Sequence, residues 1–291
     1  MSGRAGGGLR RLLPPALLLL ALAGMVLAFA RPNAVVTMPA PHDVVVLAID
    51  ISGSMRASDV EPDRISAARA AARDFVERQP AGTRIGVVAF AAAASLVQPP
   101  THDRQAILAA LDRLQLQQAT AIGSGLLVAL KAIEPSLQFD LRAADPRGDA
   151  RNWPKPLAPG SNRSAAIVLL SDGESSTGPK PEVAAQIVAE RGVRVYTVGL
   201  GTSAGTVLKI EGWSMRVRLD EAPLRKIADL TLGEYFPAAS APQLEQVYRT
   251  LDVKLAFERK RMEVTALFAA AAALLVALSS GLSLYWFNRA F

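Results

Sequence analysis

Val44-Val45-Val46-Leu47-Ala48-Ile49-Asp50-Ile51-Ser52-Gly53-Ser54 is the stretch that decides the fold. It opens with six apolar residues in an unbroken run, four of them β-branched. A half-covered strand alternates apolar with polar residues, whereas a continuous run predicts a strand covered on both faces, as in a parallel sheet. The polar residues then arrive at the carboxyl end of that strand, where open α/β sheets place their ligand sites. One carboxylate and two hydroxyls lie within the five residues Asp50 to Ser54 and offer only hard oxygen donors. That set suits Mg2+, or another divalent cation such as Mn2+ or Ca2+, and not a soft metal.

Two more segments extend the pattern. Ala165-Ala166-Ile167-Val168-Leu169-Leu170 is a second buried-strand run and ends in Ser171-Asp172-Gly173. Thr120 opens Thr120-Ala121-Ile122-Gly123-Ser124-Gly125 ahead of an apolar helix. The spacing D-x-S-x-S alone is weak, because Ser and Asp after a strand are ordinary turn and helix-cap residues. Three such loops at the tips of successive elements point instead to one shared cation, with Asp50, Ser52, Ser54, Thr120 and Asp172 as the candidate metal-binding residues. A rival chemistry is phosphoryl transfer to an Asp after the first strand. Phosphatases of that kind usually carry a second acid two residues on, and here that position is Ser52.

The rest of the soluble part reads as alternating strands and helices. Ile65, Ala68, Ala72, Phe75 and Val76 share a helical face, with Arg64, Arg69, Arg73 and Glu77 read as a solvated face. Ile85 to Phe90 is the next strand, with Ala94 to Gln98 as a short neighbour, and Ile107, Leu108, Leu111 and Leu114 mark a further helix. After Asp172 come a helix from about Glu182 to Glu190, a strand at Val193 to Gly199, a small hairpin around Gly212-Trp213, a helix behind Asp220 and a short strand at Glu234 to Phe236. Leu244, Val247, Tyr248, Leu251 and Leu255 make a last amphipathic helix. This order predicts an α/β domain over 43–257: a doubly wound, mostly parallel sheet with one antiparallel edge. The stretch 134–164 has five prolines and no hydrophobic period, and reads as a long surface insertion.

The chain has 291 residues, of which 51% are hydrophobic and only 20% charged, and two uncharged segments account for that bias. Residues 1–11 are a basic N-terminus, and residues 12–30, rich in Leu and Ala, are long enough to cross a bilayer core of about 30 Å. Ala28-Phe29-Ala30 also resembles a signal-peptidase site, so a cleaved signal peptide competes with a retained anchor. Residues 31–42, with three prolines, read as an extended linker. Residues 262–287 form a second apolar segment ending in Tyr285-Trp286-Phe287, an interfacial aromatic belt. The first helix, with Arg4, Arg10 and Arg11 before it, places the domain outside the cytoplasmic membrane. Arg259, Lys260 and Arg261 before the second helix argue the other way under the positive-inside rule. The net charge of +6 comes with no Arg/Lys stripe interleaved with aromatics, so nucleic-acid binding has no support. Cysteine is absent, which excludes disulfides and leaves the compartment open.

The D-x-S-x-S, Thr and strand-end D-G pattern resembles the metal-ion-dependent adhesion site of von Willebrand factor A (VWA) domains. The resemblance extends along the chain, through Leu170-Ser171-Asp172-Gly173-Glu174, Val195-Tyr196-Thr197-Val198-Gly199 and Gly233-Glu234-Tyr235-Phe236, to the second membrane helix. In this extent the chain is similar to bacterial membrane-anchored VWA proteins of the aerotolerance (Bat) type. The resemblance implies a non-catalytic binding site. Ser52, Ser54 and Thr120 would ligate the cation directly, and Asp50 and Asp172 largely through water. An acidic side chain of a partner protein would take the open position. Other membrane VWA proteins and a MoxR-type AAA+ ATPase are the partners implied. Two departures stand out: Ser124 occupies a position where the family often has an acid, and the proline-rich insertion is longer. The competing functions are a metal-dependent hydrolase at the same site and a purely structural anchor with a vacant one.

Overall fold

A computed structural model describes the whole chain except residues 1–4, 31–32, 40–41, 144, 148–152, 211–212, 264 and 288–291. The chain divides into two compact units, Pro39–Phe257 and the pairing of Met1–Met38 with Glu258–Phe291.

The larger unit is built on a six-stranded sheet. Its strands, numbered along the whole chain, are β2 (Val44–Asp50), β3 (Arg84–Phe90), β4 (Ala94–Thr101), β5 (Ala165–Ser171), β6 (Arg194–Leu200) and β9 (Tyr235–Ala238). They lie in the order β4-β3-β2-β5-β6-β9. Every pairing is parallel except β3 with β4, so the antiparallel strand sits at an edge as the sequence predicts. Strand β2 is central, and all seven of its residues are buried. Val45, Leu47 and Ile49 enter one apolar cluster and Val44, Val46 and Ala48 the other, so the two-residue pleat feeds both layers.

Helices α2 (Arg64–Arg78), α3 (Arg104–Asp112) and α7 (Ala241–Ala256) cover the first face, and α4 (Ile122–Ile133), α5 (Pro181–Glu190) and α6 (Glu221–Thr231) the second. Phe75 of α2 meets Tyr248 of α7 with ring centroids 5.2 Å apart. Helix α2 starts cleanly because Asp63 caps it, accepting from the Ser66 backbone N–H at 2.7 Å. The hairpin of β7 (Thr206–Ile210) and β8 (Trp213–Val217) forms a separate two-stranded sheet.

Three expectations are corrected. Arg64 does not face solvent; it is fully buried, because positions 64, 68 and 72 repeat every four residues and carry it onto the covered face. The 134–164 insertion is not merely superficial. Leu137 is buried, and Phe139, Leu141 and Trp153 pack on the second cluster, because the segment carries isolated apolar anchors in place of a period. The described part of the linker is not a free tether, since β1 (Asn33–Pro39) pairs with β10 (Phe257–Glu263).

The smaller unit contains α1 (Ala5–Phe29) and α8 (Thr265–Phe287). Within them Leu12–Phe29 and Thr265–Tyr285 have the length and apolar composition to cross a membrane. The two helices pack against each other, and Ala21 of α1 and Ala272 of α8 are buried. Ser279 Oγ, also buried, donates to the Pro14 carbonyl at 2.7 Å.

Candidate metal centre

Three loops meet at the carboxyl edge of the sheet. The first follows β2, where a 3-10 turn over Gly53–Arg56 brings the Ser52 and Ser54 hydroxyls to 3.0 Å from each other. Asp50 Oδ1 accepts from the Ser52 N–H at 2.8 Å and Oδ2 from the Ser171 hydroxyl at 2.6 Å, which fixes the carboxylate. The second loop carries Thr120. The Gln117 N–H donates to the Ile51 carbonyl at 2.7 Å, tying it to the first loop. Its Ala119 lies at φ +61°, a conformation that costs a non-glycine residue about 1–2 kcal/mol. The third follows β5. Ser176 and Thr177 donate their N–H groups to the Thr120 carbonyl at 2.8 and 3.0 Å. Gly173 sits at φ +86°, and a Cβ there would lie 1.8 Å from the Asp220 carbonyl oxygen, so only glycine lets the chain turn behind Asp172.

The structure thus gathers the predicted residues. Asp50, Ser52, Ser54, Thr120 and Asp172 are all buried, and the three hydroxyl residues line one cavity of about 530 Å3 with Gly53, Gln117 and Glu174. Burial and the Asp172 charge push the Asp50 carboxyl up to about 7, against the bonds from Ser171 and Ser52. Burial also raises Asp172, partly countered by Ser54 and Arg64. Two carboxylates in mutual repulsion beside paired hydroxyls are a donor set that a hard divalent cation fits, since it supplies the missing positive charge and accepts oxygen only. Ser124, by contrast, faces a different hollow beside Gly178 and Lys180.

Sequence reasoning missed the support of the site. Arg64 Nη1 donates to Asp172 Oδ2 at 3.0 Å, while Nε and Nη2 grip both oxygens of Asp59 at 2.7 and 2.8 Å. Burial would raise the Asp59 carboxyl, but the Arg64 and Thr202 bonds outweigh it and hold the group below its ordinary value. The four-residue repeat from Arg64 to Ala68 was the available signal. Nothing in the spacing marked Asp59, and Ser171, though part of the Ser171-Asp172-Gly173 strand end, was not read as a donor to Asp50.

A doubly wound sheet with D-x-S-x-S, Thr and Asp loops at its carboxyl edge defines a VWA domain. The family model for the von Willebrand factor type A domain matches residues 45–174. The chain belongs to the UPF0353 family of VWA proteins. A relative from Mycolicibacterium vanbaalenii is 37% identical over 254 residues, covering 85% of this chain and 71% of its own. One from Nocardia farcinica is 36% identical over 262 residues, covering 85% and 73%. Among solved structures, BatB from Bacteroides thetaiotaomicron superposes with a TM-score of 0.55 at 24% identity, covering 73% of this chain and 98% of that one. The mussel byssus proximal thread matrix protein 1 with a zinc-occupied MIDAS motif gives 0.53 at 20% identity, covering 78% and 49%. Both likenesses concern the fold.

Proposed function

We propose that this chain is a membrane-anchored binding protein whose VWA domain, on the outer side of the cytoplasmic membrane, captures partners through a divalent cation. Ser52, Ser54 and Thr120 hold the ion directly. Asp50 and Asp172 hold it through water. An acidic side chain of the partner completes the shell, which for Mg2+ demands near-octahedral oxygen. The observation that carries this reading is the convergence of three braced loops on one cavity lined by hydroxyls, with two buried carboxylates beneath it. The zinc-occupied motif in the byssus protein supports it by analogy of fold. By family resemblance, the partners are other membrane VWA proteins and a MoxR-type AAA+ ATPase system concerned with envelope complexes.

The site is read as non-catalytic, because neither histidine belongs to it: His42 bonds the Leu255 carbonyl at 3.0 Å and His102 lies outside the cavity lining. The test is calorimetric titration of the full chain in detergent with Mn2+. We expect one ion per chain, with Asp50→Ala weakening binding about 10- to 100-fold. Absence of heat at millimolar Mn2+ would leave a structural anchor, and metal-dependent turnover of an aryl phosphate would establish a hydrolase.

A further inference from the structure

Arg64 has no place in the binding reaction as described, yet it lies beneath the site with no exposed surface. A guanidinium in the interior is often no more stabilising than a well-packed apolar side chain, so its presence asks for a specific role. Its contacts supply one. One arm holds Asp172 and the other two nitrogens hold Asp59. Asp59 Oδ2 also accepts from the Thr202 N–H at 2.9 Å and the Thr202 hydroxyl at 3.1 Å.

Thr202 fastens both ends of the β7–β8 hairpin. Its hydroxyl accepts from the Gly205 N–H at 3.1 Å, just before β7, and its carbonyl accepts from the Leu219 N–H at 3.1 Å, just after β8. Leu208 and Val217 of the hairpin pack on Ala57, next to the turn that carries Ser54. Met215, 53% exposed, forms part of the cavity wall. Gly201 stands at φ +128°, where a Cβ would lie 2.5 Å from Arg64 Nη2, so the chain approaches the guanidinium as closely as backbone permits.

We propose that Arg64 is a positioning residue that couples the cation at Asp172 to the hairpin forming the partner-facing lip of the cavity. The inference rests on the metal-binding reading above. The guanidinium commits Asp172 Oδ2, while Oδ1 accepts from the Glu174 N–H at 3.3 Å and keeps a lone pair for the ion's water shell. It is planar and forked, so a shift of Asp172 toward a cation passes to Asp59 and on to Thr202. A lysine keeps the charge and loses the fork.

The test is amide hydrogen exchange over residues 206–217 in the full chain in detergent, with and without saturating Mn2+, alongside calorimetry. In the wild type, Mn2+ slows exchange in the hairpin. In Arg64→Lys, Mn2+ binds about tenfold more weakly and, at saturation, no longer slows the hairpin. Asp59→Ala removes the acceptor shared by Arg64 and Thr202 and leaves Asp172 in place; it loses the slowing while weakening Mn2+ binding less than Arg64→Lys does, and it serves if the lysine variant fails to fold. Undiminished slowing in both variants, or a wild type that binds Mn2+ with an unchanged hairpin, overturns the coupling. A wild type that binds no Mn2+ overturns the metal reading beneath it.

Discussion

Asp50 is where a single residue governs the site. Its carboxyl is raised from 3.8 to about 7, first by burial and second by Asp172. In the cation-free protein the folded state therefore holds a proton that the unfolded chain releases. Stability falls as pH rises from about 4 to about 7, because the native state binds more protons across that window. A cation must displace the same proton, so affinity moves the opposite way. We expect Mn2+ affinity to rise up to about tenfold per pH unit below 7 and to level off above it, as calorimetry at pH 5, 6, 7 and 8 would show; a flat profile would mean that Asp50 is not part of the site. The five candidate residues that converge were legible in the sequence because each stands near the tip of an element whose hydrophobic run announces it. Arg64 was not, since a charge beside an apolar stripe ordinarily points outward, and what reverses that rule is an ion pair with the buried Asp172, 108 residues away, joined by the nearby Asp59.

Elements hold the loops in register. Strand β2 was readable because burial on both faces leaves no polar position in it before Asp50 at its carboxyl end. The insertion and the linker were not: Phe139 and Trp153, 5.7 Å apart at their ring centroids, are anchors without a period, and β1 takes its strand character from a partner more than two hundred residues away. Helix α2 carries Arg64 at its first turn and is locked by Phe75, which has no exposed surface. Phe75→Ala should cost about 3–5 kcal/mol through lost burial and a residual cavity. Asp63→Ala, which removes only the cap, should cost about 1 kcal/mol. Denaturant unfolding of the two variants gives both numbers, and an Asp63→Ala penalty as large as that of Phe75→Ala would contradict the packing account. Gly173→Ala has no such graded cost. Its Cβ meets the Asp220 carbonyl, so the loop behind Asp172 must rearrange and Mn2+ binding should be lost.

At the scale of the molecule, a helix pair with the length to span a bilayer is joined in sequence to an α/β domain. Within that pair, Pro14 in the first half of α1 bonds Ser279 in the second half of α8, and Met25 and Ala28 toward the end of α1 line one hollow with Thr265 and Ala269 at the start of α8. The helices thus run antiparallel, so on the proposed topology the residues before α1 and after α8 lie on the same side of the membrane. With the basic N-terminus inside, a fluorescent protein fused after residue 291 should light up in the cytoplasm, and an alkaline phosphatase at the same place should stay inactive. The reverse result would show that Arg259, Lys260 and Arg261, and not the first helix, set the topology.

The metal reading stands on three hydroxyl groups from two separate stretches of chain sharing one ion. Anomalous scattering from crystals of the full chain soaked in Mn2+ tests it most directly. The account predicts a single strong peak in the 530 Å3 cavity, within about 2.1 Å of the Ser52, Ser54 and Thr120 hydroxyl oxygens, with Asp50 and Asp172 one water further out. An ion bound elsewhere, or one bound by the carboxylates with the hydroxyls turned aside, would contradict it.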